Sequence, residues 1–193
     1  MEKPIVTYLL IASCVIMFVF QQLVGVNLWG YLAFFPAYVW ELPWSFISSI
    51  FLHAGIEHLL FNMIALFFFG VALERIVGKK MLFLIFILSG IIGNLGYLIT
   101  ASDPTMPAIG ASGAIYGIVG TLVVIVPFQR VYLYGFFPLP LILVVAFWIL
   151  LDLFGLFSPS DIANGAHLGG ILVGILFGFY TRRKLNYYKY ITT

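Results

Sequence analysis

Long apolar runs, separated by short clusters of polar and turn-forming residues, fill the chain from Pro4 to Thr181. The runs between breakers predict six helices, over about 4–24, 57–76, 80–100, 111–127, 138–156 and 164–181. The stretches 81–102, 104–129 and 131–151 carry no charged residue, and each is long enough to cross a hydrocarbon core, which takes about 20 residues of helix. Helix is the expected form because a backbone facing lipid must satisfy its own N–H and C=O groups. The pattern therefore predicts an all-α, polytopic membrane protein with six transmembrane helices, in one domain over 1–193. Residues 25–56 fit neither a soluble loop nor a clean span. Trp29, Trp40, Trp44 and Phe46 alternate there with Pro36 and Pro43, and such a segment is expected to lie half-immersed at the membrane interface. Met1-Glu2-Lys3 before the first run would also suit a signal peptide, but no Ala-x-Ala-like site follows, so the run is read as a retained span.

Composition sharpens this picture. The chain is 63% hydrophobic and 8% charged, whereas soluble domains carry about a quarter charged residues. No basic patch suits nucleic acid. The single Cys14 excludes an internal disulfide and is expected to pack as a small hydrophobe. Placing the basic residues on the predicted helices gives an orientation. Lys3, Arg75, Lys79, Lys80, Arg130, Arg182, Arg183, Lys184 and Lys189 all fall on one side, while the other side holds acids such as Glu41, Asp103 and Asp161. The positive-inside rule makes the basic side cytoplasmic, with both termini there. The setting is the bilayer of a cell membrane.

Polar side chains within spans are costly and so become functional candidates. Ser112 opens the fourth predicted helix and His167 lies near the start of the sixth, and both helices start on the outer side. Each residue lies within two turns of its helix end, so the two can meet at one depth. His58 and Asn62, spaced i,i+4 at the outer start of the second helix, share a face. Gly170, Gly174 and Gly178 repeat every fourth residue, as do Gly113 and Gly117, and small residues at that spacing let membrane helices approach closely. A contact between the fourth and sixth helices would then carry Ser112 toward His167. A serine needs a base to become a nucleophile, and imidazole is suited to that task. The side chains of His58 and Asn62 and the backbone N–H of Ser112 could stabilise an oxyanion. No acid is evidently placed to orient His167; Asp161, six residues earlier, falls in an expected loop, so a Ser/His dyad is expected, with a triad as the alternative.

Blander roles compete with these. Serine in a membrane helix is commonly a packing residue. Ala114 stands where a G-x-S-x-G elbow needs glycine. "HAGIEH" lacks the H-E-x-x-H order, so His53, Glu57 and His58 make a poor zinc site, and neither metal nor organic cofactor is expected. Glu74 and Arg75 read as a structural pair or interface anchors, and Asn94 and Asp152 as interhelical glue or substrate-path groups.

Four separated segments, "FLHAGIEHLLFNM" (51–63), "ALERIVGKK" (72–80), "GASGAIYG" (110–117) and "ANGAHLGGILVG" (163–174), resemble the rhomboid family of intramembrane serine proteases in order and spacing. The resemblance implies Ser112 as nucleophile, His167 as base, and His58 and Asn62 as oxyanion-hole side chains. It implies Tyr116 as the aromatic packed on the catalytic imidazole, Gly110 and Gly113 as the G-x-S-G frame, and Gly170 as the close contact between the fourth and sixth helices. His53 matches an upstream histidine near the site, and Glu74 a structural carboxylate. Trp44-Ser45 departs from the Trp-Arg pair of many members, which puts a loop-anchoring interaction in doubt. The six-helix count resembles the minimal prokaryotic form. The implied substrates are single-span membrane proteins whose helix unwinds near the outer face, and the fifth helix with the loop at 157–162 is the expected moving part. The rival reading is a six-helix protein, client-binding or transporting, that uses the same polar cluster without cutting. A transporter would show two related halves, and none is visible.

Overall fold

The computed structural model describes residues 3–24, 27–133, 136–158 and 162–191, with backbone alone for residues 27, 133 and 186–191. Helix α1 (Ile5–Val24) is followed by the short helix α2 (Asn27–Leu32), a turn at Pro36–Tyr38, the single turn α3 (Ser45–Ser48) and a further turn at Ser49–Phe51. Helices α4 (Ile56–Ala65) and α5 (Val71–Val77) are joined without a break by a wider π-helical turn, Leu66–Gly70. Then come α6 (Lys79–Thr100), α7 (Ser112–Ile125), an antiparallel hairpin of β1 (Arg130–Leu133) and β2 (Phe137–Pro140), α8 (Leu141–Gly155) and α9 (Asn164–Ile191). Among the described residues, α1, α4–α5 together and α6 are each long and apolar enough to cross a membrane, and α7 and α8 are shorter apolar helices.

The architecture is all-α, as the pattern predicts, apart from one short hairpin. Its cause is local: in "FPLPL" each proline bars the residue before it from helical backbone, so Phe137–Pro140 stay extended and α8 begins at Leu141 rather than 138. The last helix, in turn, runs to Ile191 instead of ending at 181.

Helix α7 is the core of the molecule, with ten of its fourteen residues buried. It packs between α6 and α9 through glycine. A Cβ on Gly170 would strike the carbonyl oxygen of Gly113, and one on Gly174 that of Gly117. Across the other face of α9, a Cβ on Gly169 would come within 2.6 Å of the Ile92 carbonyl oxygen. The hydroxyl of Thr121 lies within hydrogen-bond reach of two carbonyls, Gly117 of its own helix at 2.9 Å and Gly174 of α9 at 3.0 Å. Helices this close leave no room for lipid between them, so van der Waals contact and hydrogen bonds hold the three-helix core.

The segment 27–51 folds onto this core. Asn94 Nδ2 of α6 donates to the Phe46 carbonyl (2.9 Å) and to Ser49 Oγ (2.8 Å). Trp44 Nε1 donates to Tyr31 O at 2.7 Å and Ser45 Oγ to Leu42 O at 2.6 Å, so the Trp44-Ser45 pair is tied within its own loop. Phe34 is buried with Val39 and Ala108 in a small satellite core. At the far end Glu74 accepts from the backbone N–H of Val6 (3.0 Å) and Thr7 (2.8 Å) and from Thr7 Oγ (2.7 Å). The carboxylate thus satisfies donors that the first turn of α1 leaves open, which is the form its structural role takes. Cys14 is buried and unbridged.

Candidate active site

Ser112 is the first residue of α7. The turn delivering it depends on Gly110, whose φ of +119° disfavours any residue with a Cβ. Space demands glycine as well, because a Cβ there would lie 2.7 Å from Cε1 of the His58 ring. The Gly110 N–H donates to the Ser49 carbonyl at 2.9 Å, fixing the turn to the interfacial segment.

His167 lies in the first turns of α9, brought in by the glycine contacts between α7 and α9. Its Nε2 is 2.9 Å from Ser112 Oγ, and Tyr116, one turn along α7, stacks on the imidazole with centroids 4.2 Å apart and planes 13° from parallel. The ring is held on its other edge too: Nδ1 is 2.9 Å from Oδ1 of Asp152 on α8. A carboxylate only accepts, so Nδ1 carries the proton and Nε2 is left free to accept from the Ser112 hydroxyl. Ser112, His167 and Asp152 therefore form one hydrogen-bonded chain across α7, α9 and α8. Trp148, one turn before Asp152, flanks Tyr116 at 5.8 Å and meets Phe69 of the π-helical turn at 6.4 Å.

His58 sits against Gly110, and its Nδ1 accepts from the Ala54 N–H at 3.4 Å. Asn62 is buried one turn on, its Nδ2 donating to the His58 carbonyl at 2.8 Å. Neither makes a direct hydrogen bond to Ser112 among the described residues, and His58 is the one seated against the serine turn. His53 is fully buried and edge-on to His58 at 5.2 Å. Its backbone is bracketed by Gln21, which donates to the His53 carbonyl and accepts from its N–H, each at 3.1 Å. Burial, with a smaller contribution from His58 and against the Phe51 carbonyl, pushes the His53 pKa down to about 4. Gly113 and Gly170 meet backbone to backbone directly below the Ser112–His167 pair. No three His, Cys, Asp or Glu side chains converge as metal ligands among the described residues.

Asp152 is the residue that sequence reasoning assigned elsewhere, to interhelical glue. Asp161, considered as the orienting acid, lies outside the described residues. A signal for Asp152 was present. In the topology expected from the sequence the fifth helix runs from the inner to the outer side, so an acid near its end is expected at the depth of Ser112 and His167.

Ser112, His167 and Asp152 thus meet within one bundle of apolar helices, and comparison with known proteins gives the family. Residues 40–184 match the Rhomboid domain, and the chain belongs to the rhomboid family. It is 38% identical over 141 residues to "Putative rhomboid protease YdcA" of Bacillus subtilis, covering 73% of this chain and 68% of that one. It is 32% identical to Rhomboid protease GluP of the same organism, over 89% of this chain and 34% of the relative. To Rhomboid protease GlpG of Salmonella paratyphi A it is 30% identical, over 90% of this chain and 62% of the relative. The family makes this a multi-pass membrane protein of a kind found in bacteria.

Proposed function

We propose that the protein is an intramembrane serine endopeptidase that cuts single-span membrane proteins in or beside their transmembrane segment. The observation that carries this reading is the 2.9 Å approach of His167 Nε2 to Ser112 Oγ. In the reaction Ser112 gives its proton to Nε2 as Oγ attacks the scissile carbonyl. The oxyanion is received by the Ser112 backbone N–H, one of the open donors at the start of α7, together with His58 and Asn62. His167 then protonates the leaving amine, and the acyl-enzyme is released by water that His167 activates in turn.

Depth follows from helix length. At about 1.5 Å per residue the 14 residues of α7 span about 21 Å against a hydrocarbon core of about 30 Å. With its inner end at the interface, α7 puts Ser112 below the outer surface, where water can reach it from outside through a short path. The basic ends of the helices set that orientation by the positive-inside rule, so both termini are cytoplasmic. Substrate has to unwind locally, because a carbonyl inside an intact helix is shielded and already hydrogen-bonded. It enters past α8, whose buried residues are only Leu141, Val144, Val145 and Asp152. A helix held by so little buried surface can move at modest cost.

Labelling with a serine-reactive fluorophosphonate tests the assignment. The purified parent is expected to take up the probe, and Ser112→Ala and His167→Ala to lose that uptake while remaining folded. A folded parent that stays unlabelled would favour a client-binding protein without catalysis.

A further inference from the structure

We infer that Asp152 is a positioning residue for His167, so that the site works as an oriented serine, histidine and aspartate chain rather than as a dyad. The inference rests on the protease reading above and deepens it.

Asp152 is 4% exposed on a helix that otherwise carries no charge; one carboxylate oxygen meets His167 Nδ1 at 2.9 Å, and the Tyr116 hydroxyl approaches the same carboxylate. Its second oxygen is buried without a hydrogen bond. Burying a carboxylate costs several kcal/mol unless its partner repays it, so packing alone does not account for an aspartate here. Its position accounts for it. The His167 ring has three constraints: the Tyr116 face, the Ser112 hydroxyl at Nε2 and the Asp152 oxygen at Nδ1. The first fixes the plane, and only the last selects the tautomer that leaves Nε2 able to accept a proton. The same carboxylate stabilises the imidazolium formed as Ser112 attacks. Because Asp152 is on α8, the alignment of His167 is coupled to the position of the helix past which substrate enters.

The groups facing His167 are few. Helix α7 brings Ser112 and Tyr116, α8 brings Asp152, and α4 brings His58, close enough to act on His167 electrostatically. Helix α6 presents glycine backbone at this level, Gly93 and Gly96 against Ala166 and Gly165, and its Tyr97 hydroxyl is turned to the Met106 carbonyl.

The test is the pH dependence of the fluorophosphonate labelling rate in the parent and in Asp152→Asn, with melting temperature measured alongside. Asparagine keeps the shape, removes the charge and permits the wrong tautomer. The expected result is a plateau rate at least about 10-fold lower, with the midpoint of the pH profile lower by about one unit. A residue that only packed α8 would shift the melting temperature and leave the midpoint in place. A labelled parent with an Asp152→Asn variant of equal plateau and midpoint overturns this inference alone, whereas a folded parent that takes no label overturns the protease reading and this inference together. The parent also allows a test that needs no folded Asp152 variant. Nitrogen-15 spectra of its histidines, with the His167 signals identified by His167→Ala, are expected to show Nδ1 protonated and Nε2 bare near neutral pH. The opposite tautomer would overturn the inference.

Discussion

His53 shows how a buried ring can matter without touching the reacting atoms. Its low pKa, about 4 against an ordinary 6.5, means that the unfolded chain binds a proton in a range where the folded chain refuses it. The stability this neutral ring contributes is complete above pH 6.5 and falls as pH drops toward 4, by about 3 kcal/mol over the whole window. In detergent the melting temperature of the parent should fall between pH 7.5 and 4.5, and that of His53→Gln should fall by less; equal falls would contradict the account. At this scale the sequence was informative about where Ser112, His167 and His58 lie, because a polar side chain beside an apolar run is costly unless packing or chemistry requires it, whereas Gly110 was expected only from the rhomboid resemblance. Asp152 was harder. A lone acid in a span reads as glue until its depth is compared with that of His167, and Asp161 is the closer acid along the chain.

Helices pack here by absence of side chains, so a single methyl group is a sharp probe. A Cβ on Gly170 would be driven into the Gly113 carbonyl, backbone that cannot swing aside, whereas one on Gly30 of α2 meets nothing within 4 Å. Gly170→Ala should therefore push α9 from α7, cost about 1–3 kcal/mol or more, and slow fluorophosphonate labelling at least about 10-fold as Ser112 and His167 separate. Gly30→Ala should leave both stability and labelling near those of the parent. Similar labelling rates for Gly170→Ala and the parent would show that the glycine contact does not set the Ser112–His167 distance. The four-residue glycine spacing made this contact legible in advance, and apolar periodicity located α1, α4–α5 and α6 to within a few residues but ended α9 at 181 rather than Ile191. Periodicity did not reveal the hairpin at 130–140, where the uncharged, apolar run after Arg130 conceals two prolines that oppose helix. Nor did it reveal the π-helical turn at Leu66–Gly70, since a change of one residue in helical repeat leaves an all-apolar stretch unaltered.

For the molecule as a whole, the distribution of charge and the geometry of the helix ends agree. Arg182 of α9 donates to the Val124 carbonyl near the end of α7 (3.3 Å), Glu74, next to Arg75, holds the start of α1, and the proposed topology puts the basic residues near positions 3, 75, 130 and 182 at the cytoplasmic ends of their helices. The Ser112–His167–Asp152 chain lies toward the other end. That arrangement predicts where a substrate is cut as well as that it is cut. The most direct measurement is to reconstitute the protein in liposomes with a tagged single-span substrate whose helix is weakened near its outer end, and to map the products by mass spectrometry. The account predicts one principal cut in the outer part of the span or just beyond it, absent with Ser112→Ala. Uncut substrate in the presence of folded parent protein, or cleavage that survives Ser112→Ala, would contradict it.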